Sequence, residues 1–256
     1  MHYLPFKIVI PARYGSTRLP GKPLLDLAGE PMIVHVCRRA LESGADEVIV
    51  ATDDTRIVEA VIGLPVRAML TSDHHNSGTE RIAEVAERSG WPDETVVVNL
   101  QGDEPLITPA LMHATAEALA QQQRAGIATL CAPIHERAEV FNPHAVKVVL
   151  DQDGYALYFS RAPIPWDRGG FADESAPLSG GYPYYRHIGL YAYTVNFLRR
   201  YVAWPPSRLE HVEALEQLRI LWHGEAIRVL PVEQVPEAGV DTLEDLARVA
   251  RALQGK

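Results

Sequence analysis

Five side chains in this sequence are of the types that hold and activate a polyphosphate. Arg13, Arg18 and Lys22 lie together in "IPARYGSTRLPGKPL", while Asp103 in "LQGDEP" and Asp241 in "AGVDTLED" lie far along the chain. Arginine presents a planar fork of donors to phosphate oxygens and lysine a compact point charge, so a loop with both suits a highly charged anion. It is not an ATP-hydrolysing P-loop. That motif runs G-x-x-x-x-G-K-[ST], its hydroxyl serving Mg²⁺. Here five residues separate Gly15 from Gly21, and Lys22 is followed by Pro23, which supplies neither a hydroxyl nor a backbone N–H. Two carboxylates beside such cations make a set for Mg²⁺-nucleotide, because Mg²⁺ is held by one or two carboxylates plus phosphate oxygens and waters. Each group also has a plain structural reading. The loop can be a basic surface without function, Asp103-Glu104-Pro105 a turn, and Asp241-Thr242-x-Glu244 a helix N-cap with Glu at N3.

Bringing these residues together requires elements that end at one edge of a sheet. "FKIVIPA", "EVIVATDD", "VRAML" and "TVVVNLQGDEP" read as strands. They alternate with helical patterns in "PMIVHVCRRALESG", "TRIVEAVIG", "SGTERIAEVAERSG" and "TPALMHATAEALAQQQR". Proline at a helix start, glycine past its end and Ser77/Thr79 as caps supply the punctuation. Such alternation implies parallel βαβ units with right-handed crossovers, a three-layer doubly wound α/β sandwich. In open parallel sheets ligands bind beyond the carboxyl ends of the strands, which is where the basic loop, Asp103 and Asp241 should converge.

From about residue 126 the pattern changes. "AVKVVLDQDGYALYFSRAPIP" reads as a hairpin around Asp151-Gln152-Asp153-Gly154, and "DRGGFADESAPLSGGYP" as a mobile loop. "RHIGLYAYT" is a strand, "VNFLRRYVAW" and "RLEHVEALEQLRILWHG" two helices, "AIRVLPVEQV" a strand and "DTLEDLARVARAL" a closing helix. One domain over 1–256 is expected, with a mixed β/α lobe inserted at about 130–225.

Composition narrows the function. With 256 residues the chain buries a substantial core without disulfides, so Cys37 and Cys131, each in an apolar segment, are expected as buried structural thiols. No apolar run reaches 18 residues, and a cytoplasmic protein without stable membrane association is expected. A net charge of −9 with no basic stripe argues against a nucleic-acid polymer. His74 and His75 are adjacent and cannot face one site from a strand, no H-x-x-x-H or Cys/His set suggests zinc, and Ser160 lacks a G-x-S-x-G context.

Seven segments then carry a resemblance: "IPARYGSTRLPGKPL", "HHNSGTERIAEV", "NLQGDEP", "FNPHAVKVVLDQDGYALYFSRAPIPWDR", "RHIGLYAY", "LEHVEALEQLRIL" and "GVDTLEDL", in this order from residue 10 to 246. Together they resemble the 3-deoxy-manno-octulosonate (Kdo) cytidylyltransferases, or CMP-Kdo synthetases, of the sugar nucleotidyltransferase superfamily. The resemblance implies a Rossmann-like nucleotidyltransferase fold and the reaction CTP + Kdo → CMP-Kdo + pyrophosphate, which activates Kdo for lipopolysaccharide assembly. It implies Arg13 and Lys22 on the triphosphate, with Arg18 beside them, and Mg²⁺ on Asp103 and Asp241. Cytosine would be selected near Ala12, Thr71 and Ser72, with side chains from Arg81 and Gln101; the plain reading of Arg81 is an exposed, salt-bridging helix face. Arg161 would meet the Kdo carboxylate, and His187, Glu213 and Gln217 its hydroxyls, Glu213 and Gln217 being four apart on one helix; His187 reads equally as a packed histidine. The resemblance further implies a homodimer formed through the lobe. A cytidylyltransferase for sialic acid and a non-catalytic nucleotide-sugar sensor are the rival readings, from the same class and from another.

Overall fold

Apolar runs with no polar face can only be strands covered on both sides, and these are what the centre of the sheet is made of. The computed structural model of the chain describes residues 4–15, 19–75, 77–173, 177–178, 180–233 and 236–254. Its strands are β1 (Lys7–Ala12), β2 (Asp26–Leu27), β3 (Glu30–Pro31), β4 (Glu47–Thr52), β5 (Arg67–Leu70), β6 (Val96–Asn99), β7 (Ile127–Pro133), β8 (Lys147–Leu150), β9 (Ala156–Ser160), β10 (Tyr185–Thr194) and β11 (Arg228–Pro231). The helices are α1 (Met32–Leu41), α2 (Thr55–Ala60), α3 (Gly78–Arg88), α4 (Pro109–Ala120), α5 (Arg137–Phe141), α6 (Val195–Ala203), α7 (Arg208–Glu213), α8 (Gln217–Trp222) and α9 (Leu243–Gln254), with a 3-10 turn at Lys22–Leu24.

The main sheet runs β11-β7-β10-β6-β1-β4-β5. β6, β1, β4 and β5 are parallel, as are β11 and β7; β10 alone is inserted antiparallel between β6 and β7. Alternate residues of β1 serve opposite layers. Ile8 and Ile10 pack with α1 and α4 through Val36, Cys37, Met112 and Ala116, whereas Val9 packs with α3 and α6 through Ile82, Val85 and Phe197. The doubly wound, mostly parallel sandwich is therefore present as expected. Cys37 and Cys131 lie in these two different layers, and burial pushes both thiols up to about 12, so neither is a thiolate at neutral pH. Among the described residues no helix is long and apolar enough to cross a membrane.

Three expectations need correction. The segment 130–225 does not stand apart as a lobe: its β10 is a middle strand of the main sheet, and β8–β9 extends from the start of β10. The stretch "RLEHVEALEQLRILWHG" is two helices, broken at Ala214 with φ 49°. Residues nine apart in an unbroken helix are separated by about 13.5 Å along its axis. Arg219 nevertheless donates to both Glu210 oxygens, at 2.8 and 2.5 Å, because α8 folds back on α7. Finally, the described part of the 169–183 loop is anchored rather than loose. Phe171 is buried with Ile134, Val140 and Tyr184, and Arg137 donates to the Gly170 carbonyl at 3.0 Å.

Candidate active site

β1 ends at Ala12 and β6 at Asn99, side by side, and the cleft beyond them measures about 470 Å³. Ala12, Arg13, Lys22, Gln101, Asp103 and Asp241 line it. Gly21, in the left-handed region at φ 67°, turns the basic loop into the 3-10 turn that presents Lys22. The Lys22 ammonium lies 2.6 Å from Asp103 Oδ2 and 3.1 Å from Asp241 Oδ1. Burial alone would lower the Lys22 pKa, but its pairing with Asp103 and Asp241 outweighs this and holds it above its ordinary value. Burial first, then the charge of Asp103, pushes the neighbouring Glu104 carboxyl up to about 7.

Asp241 reaches this point through a close approach of two backbones. α9 sets Leu246, Val249, Ala250 and Leu253, an i, i+3, i+4, i+7 stripe, against Leu27, Met32 and Leu106. The Val240 N–H donates to the Asp103 carbonyl at 2.9 Å. A Cβ on Gly239 would stand 2.7 Å from that same carbonyl oxygen. Gly239→Ala is accordingly expected to push Asp241 away from Asp103 and to lower kcat about tenfold to a hundredfold, as misplacement of order 1 Å does. Steady-state pyrophosphate release, beside a melting curve, checks this. The predicted capping role of Asp241 is overturned, since the cap sits one residue on. Thr242 Oγ1 accepts from Asp245 N at 3.1 Å, and Asp245 Oδ2 accepts from Thr242 N at 3.0 Å.

The donor set fits a magnesium ion. One ammonium touches both carboxylates, so they converge on a point that accommodates positive charge. Among the described residues no group of three or more His, Cys, Asp or Glu side chains gathers around a metal position. A cation on this pair would draw its other ligands from substrate and water, the habit of Mg²⁺ at phosphates.

A second cleft of about 420 Å³ shares Arg13 and Gln101 with the first and runs between β10, α3 and α8. His187, Gly189, Tyr191 and Tyr193 enter it as alternate residues of β10. Burial pushes the His187 imidazole down to about 3, so it is neutral at physiological pH, with Nε2 3.1 Å from Thr129 Oγ1. Gln217 also lines the cleft, and its Nε2 is buried without a hydrogen-bond partner. Leaving a buried donor unmatched costs about 1–3 kcal/mol, which an acceptor entering the cleft would recover. Glu216 is beside it, its carboxyl raised by burial and then by the charge of Glu210.

Arg81, Thr71, Ser72, Arg161 and Glu213 line neither cleft. Arg81 is completely buried, not an exposed helix face; it donates to Thr71 Oγ1 and, at 3.2 Å, to Asp53 Oδ2. Thr71 N–H and Ser72 N–H are taken by the Thr52 carbonyl and Glu84. Arg161 donates to the carbonyls of Glu213, Pro143 and Ala214, at 2.7, 3.0 and 3.4 Å. The Glu213 carboxylate accepts from Ser160 Oγ and Arg161 N. With the helix broken, Glu213 and Gln217 share no face. Arg18 lies outside the described residues. Glu216, Tyr191 and Tyr193 escaped the sequence reading, although the alternation of "HIGLYAY" places both tyrosines on the face of His187.

A family model described as "Cytidylyltransferase" matches residues 7–227. A 3-deoxy-manno-octulosonate cytidylyltransferase of Methylococcus capsulatus is 64% identical over 251 residues, covering 98% of each chain. Among solved structures, a CMP:2-keto-3-deoxy-manno-octonic acid synthetase complexed with CTP superposes with a TM-score of 0.88 at 42% identity, over 98% of this chain and 99% of that one. A cytidylyltransferase from Leptospira borgpetersenii shares the fold, with a TM-score of 0.63 at 17% identity over 99% and 88% of the two chains.

Proposed function

This chain belongs to the cytidylyltransferase family, among the 3-deoxy-manno-octulosonate cytidylyltransferases, and from that premise we propose which of its residues carry the reaction. It joins CMP from CTP to Kdo, releasing pyrophosphate. The observation that carries the assignment of residues is the meeting of Lys22, Asp103 and Asp241 in the cleft beyond β1 and β6.

CTP occupies this cleft with its phosphates toward Arg13 and Lys22, and Kdo occupies the cleft of His187 and Gln217. Because Arg13 and Gln101 belong to both, the α-phosphorus and the attacking 2-hydroxyl meet at their junction. The hydroxyl oxygen bonds to phosphorus and gives up its proton to water as the bond to the bridging oxygen breaks, whose electron pair leaves with pyrophosphate, and no covalent enzyme intermediate forms. Positioning and charge do most of the catalysis in such a transfer. Lys22 and Arg13 balance charge on the departing pyrophosphate. Asp103 and Asp241 would hold a magnesium ion, which would supply further positive charge beside the phosphates and make the hydroxyl more acidic. Gln217 donates its unmatched N–H to a sugar oxygen, and neutral His187 hydrogen-bonds rather than ion-pairs. Arg81, Thr71 and Ser72 act on the cytosine side through the wall they build, and Arg161 and Glu213 through the loop behind Kdo. A homodimer through β8–β9, where Leu157 is exposed, and a cytoplasmic location complete the proposal; sedimentation tests the first and fractionation the second.

Pyrophosphate release is measured with each NTP, with Kdo, sialic acid or no acceptor, and with or without Mg²⁺. Release with CTP, Kdo and Mg²⁺ alone is expected. Lys22→Ala is expected to raise the KM for CTP about tenfold or more while leaving CMP inhibition within about twofold, since CMP lacks the phosphates an ammonium would hold. Equal loss of CTP and CMP affinity would remove Lys22 from the β/γ end.

A further inference from the structure

Arg13 and Gly15 line the nucleotide cleft, whereas Tyr14 between them does not. Its N–H donates to Asp53 Oδ1 at 3.2 Å, and its carbonyl accepts from Gly21 N–H at 3.0 Å, which closes the loop from 14 to 21 at its base. The Arg56 guanidinium carbon sits 3.5 Å from the centre of the Tyr14 ring. Gly21 abuts the ring as well: a Cβ there would stand 3.1–3.3 Å from its atoms.

The holders are themselves held. Asp53 gives its other oxygen to fully buried Arg81, at 3.2 Å. Asp54 caps α2 through Arg56 N at 2.9 Å and grips the Arg56 guanidinium at 2.9 and 2.6 Å. Two consecutive aspartates after β4 thus fix Tyr14 by its main chain and by its ring.

We propose that Tyr14 is a positioning residue, clasped by Asp53, Arg56 and Gly21 so that Lys22 leaves the loop at one fixed point facing Asp103 and Asp241. The proposal rests on the reading of Lys22 as a triphosphate-binding group. Gly21 is the residue before Lys22, so whatever fixes Gly21 fixes the start of the lysine side chain. A loop free at its base would have to be ordered when CTP binds, at a cost in conformational entropy for each backbone residue immobilised. Arg56 stacks on the ring face and Gly21 abuts the ring edge beside the hydroxyl, so phenylalanine keeps the ring contacts and gives up only those of the hydroxyl.

The test compares Tyr14→Ala, Tyr14→Phe, Arg56→Ala and Lys22→Ala in the full-length protein. Tyr14→Ala is expected to raise the KM for CTP and lower kcat by about tenfold each, with CMP inhibition and the KM for Kdo within about twofold. Tyr14→Phe should stay within about threefold of the parent, and Arg56→Ala should fall between them, as befits a cation–π contact at a partly exposed site. Hydrogen exchange in the unliganded protein reads the clasp directly: the Gly21 amide should exchange faster in Tyr14→Ala and not in Tyr14→Phe. A CTP-selective loss in Lys22→Ala without one in Tyr14→Ala overturns the proposal alone. So does equal loss of CTP and CMP in Tyr14→Ala, a Phe variant as poor as the Ala one, or unchanged Gly21 exchange. No selective loss in Lys22→Ala brings down the reading of Lys22 and the proposal with it.

Discussion

Asp103→Asn is expected to lower kcat at least about a hundredfold, equivalent to about 2.7 kcal/mol of transition-state stabilisation, with melting unchanged within about 2 °C. Asparagine keeps the size of the side chain and one oxygen for Lys22, whose ammonium now stands 2.6 Å from the carboxylate. The main-chain tie from Val240 N–H to the Asp103 carbonyl is untouched. Only the charge is lost, and charge is what a divalent ion beside a phosphate requires of its ligands. Asp241→Asn is expected to cost as much by the same reasoning. If the two carboxylates serve one ion, the double variant should fall little further than either single one, because residues that act as a unit are not additive. Pyrophosphate release at saturating CTP, Kdo and Mg²⁺ decides it. Near-normal turnover in both single variants would leave the pair with a structural role only.

Position along a strand was what the sequence revealed of this site. Asp103 follows the most strand-like run in the chain and Lys22 follows the first. The rule that ligands gather at strand ends therefore brought them together without any knowledge of α9. Asp241 was ambiguous for a physical reason. Asp241 and Thr242 are both good caps, and Glu244 and Asp245 stand three residues after each, so either register satisfies a capping box. Packing of Leu246, Val249 and Leu253 chose the second register and released the Asp241 carboxylate toward Lys22.

Other features had no local signal. Arg81 lies on a helix whose charge pattern reads as solvated, yet Asp53 and Thr71 arrive from β4 and β5 to receive it in the interior. Strand alternation gave the parallel units but not the antiparallel entry of β10, because a strand covered on both faces carries no mark of direction. The break at Ala214 was equally hidden. No glycine or proline stands there, and the left-handed residue is an alanine, held by contacts between residues nine apart rather than by its own preference.

That break makes Arg219→Met the substitution with the largest expected effect on stability. Glu210 and Arg219 form a two-point ion pair with only about a tenth of each side chain exposed. Glu210 also completes a capping box with Ser207. Removing the cation leaves a buried carboxylate unpaired, which costs about 3–5 kcal/mol. For a chain of this length that lowers Tm by roughly 10 °C at pH 7.5. The sign with pH follows from the carboxyl. Burial alone would raise the Glu210 pKa, but the bonds from Arg219 and Ser207 hold it below 4.5. Its stabilising contribution is therefore complete above the unfolded value and is lost as pH falls through the folded one. In Arg219→Met burial is opposed mainly by the Ser207 N–H and the carboxyl moves up from its value in the parent, so the variant is penalised at neutral pH and relieved by protonation in acid. The gap in Tm between parent and variant should narrow as pH drops from 7.5 toward 4.5, and Glu210→Gln combined with Arg219→Met should recover part of it at pH 7.5. A pH-independent gap would mean that the arginine acts through its packing on Tyr201, whose ring centre lies 4.8 Å from the guanidinium. Because Gln217 opens the same short helix, partial unfolding of α8 should raise the KM for Kdo before that for CTP, linking the pair to the acceptor cleft it helps to shape.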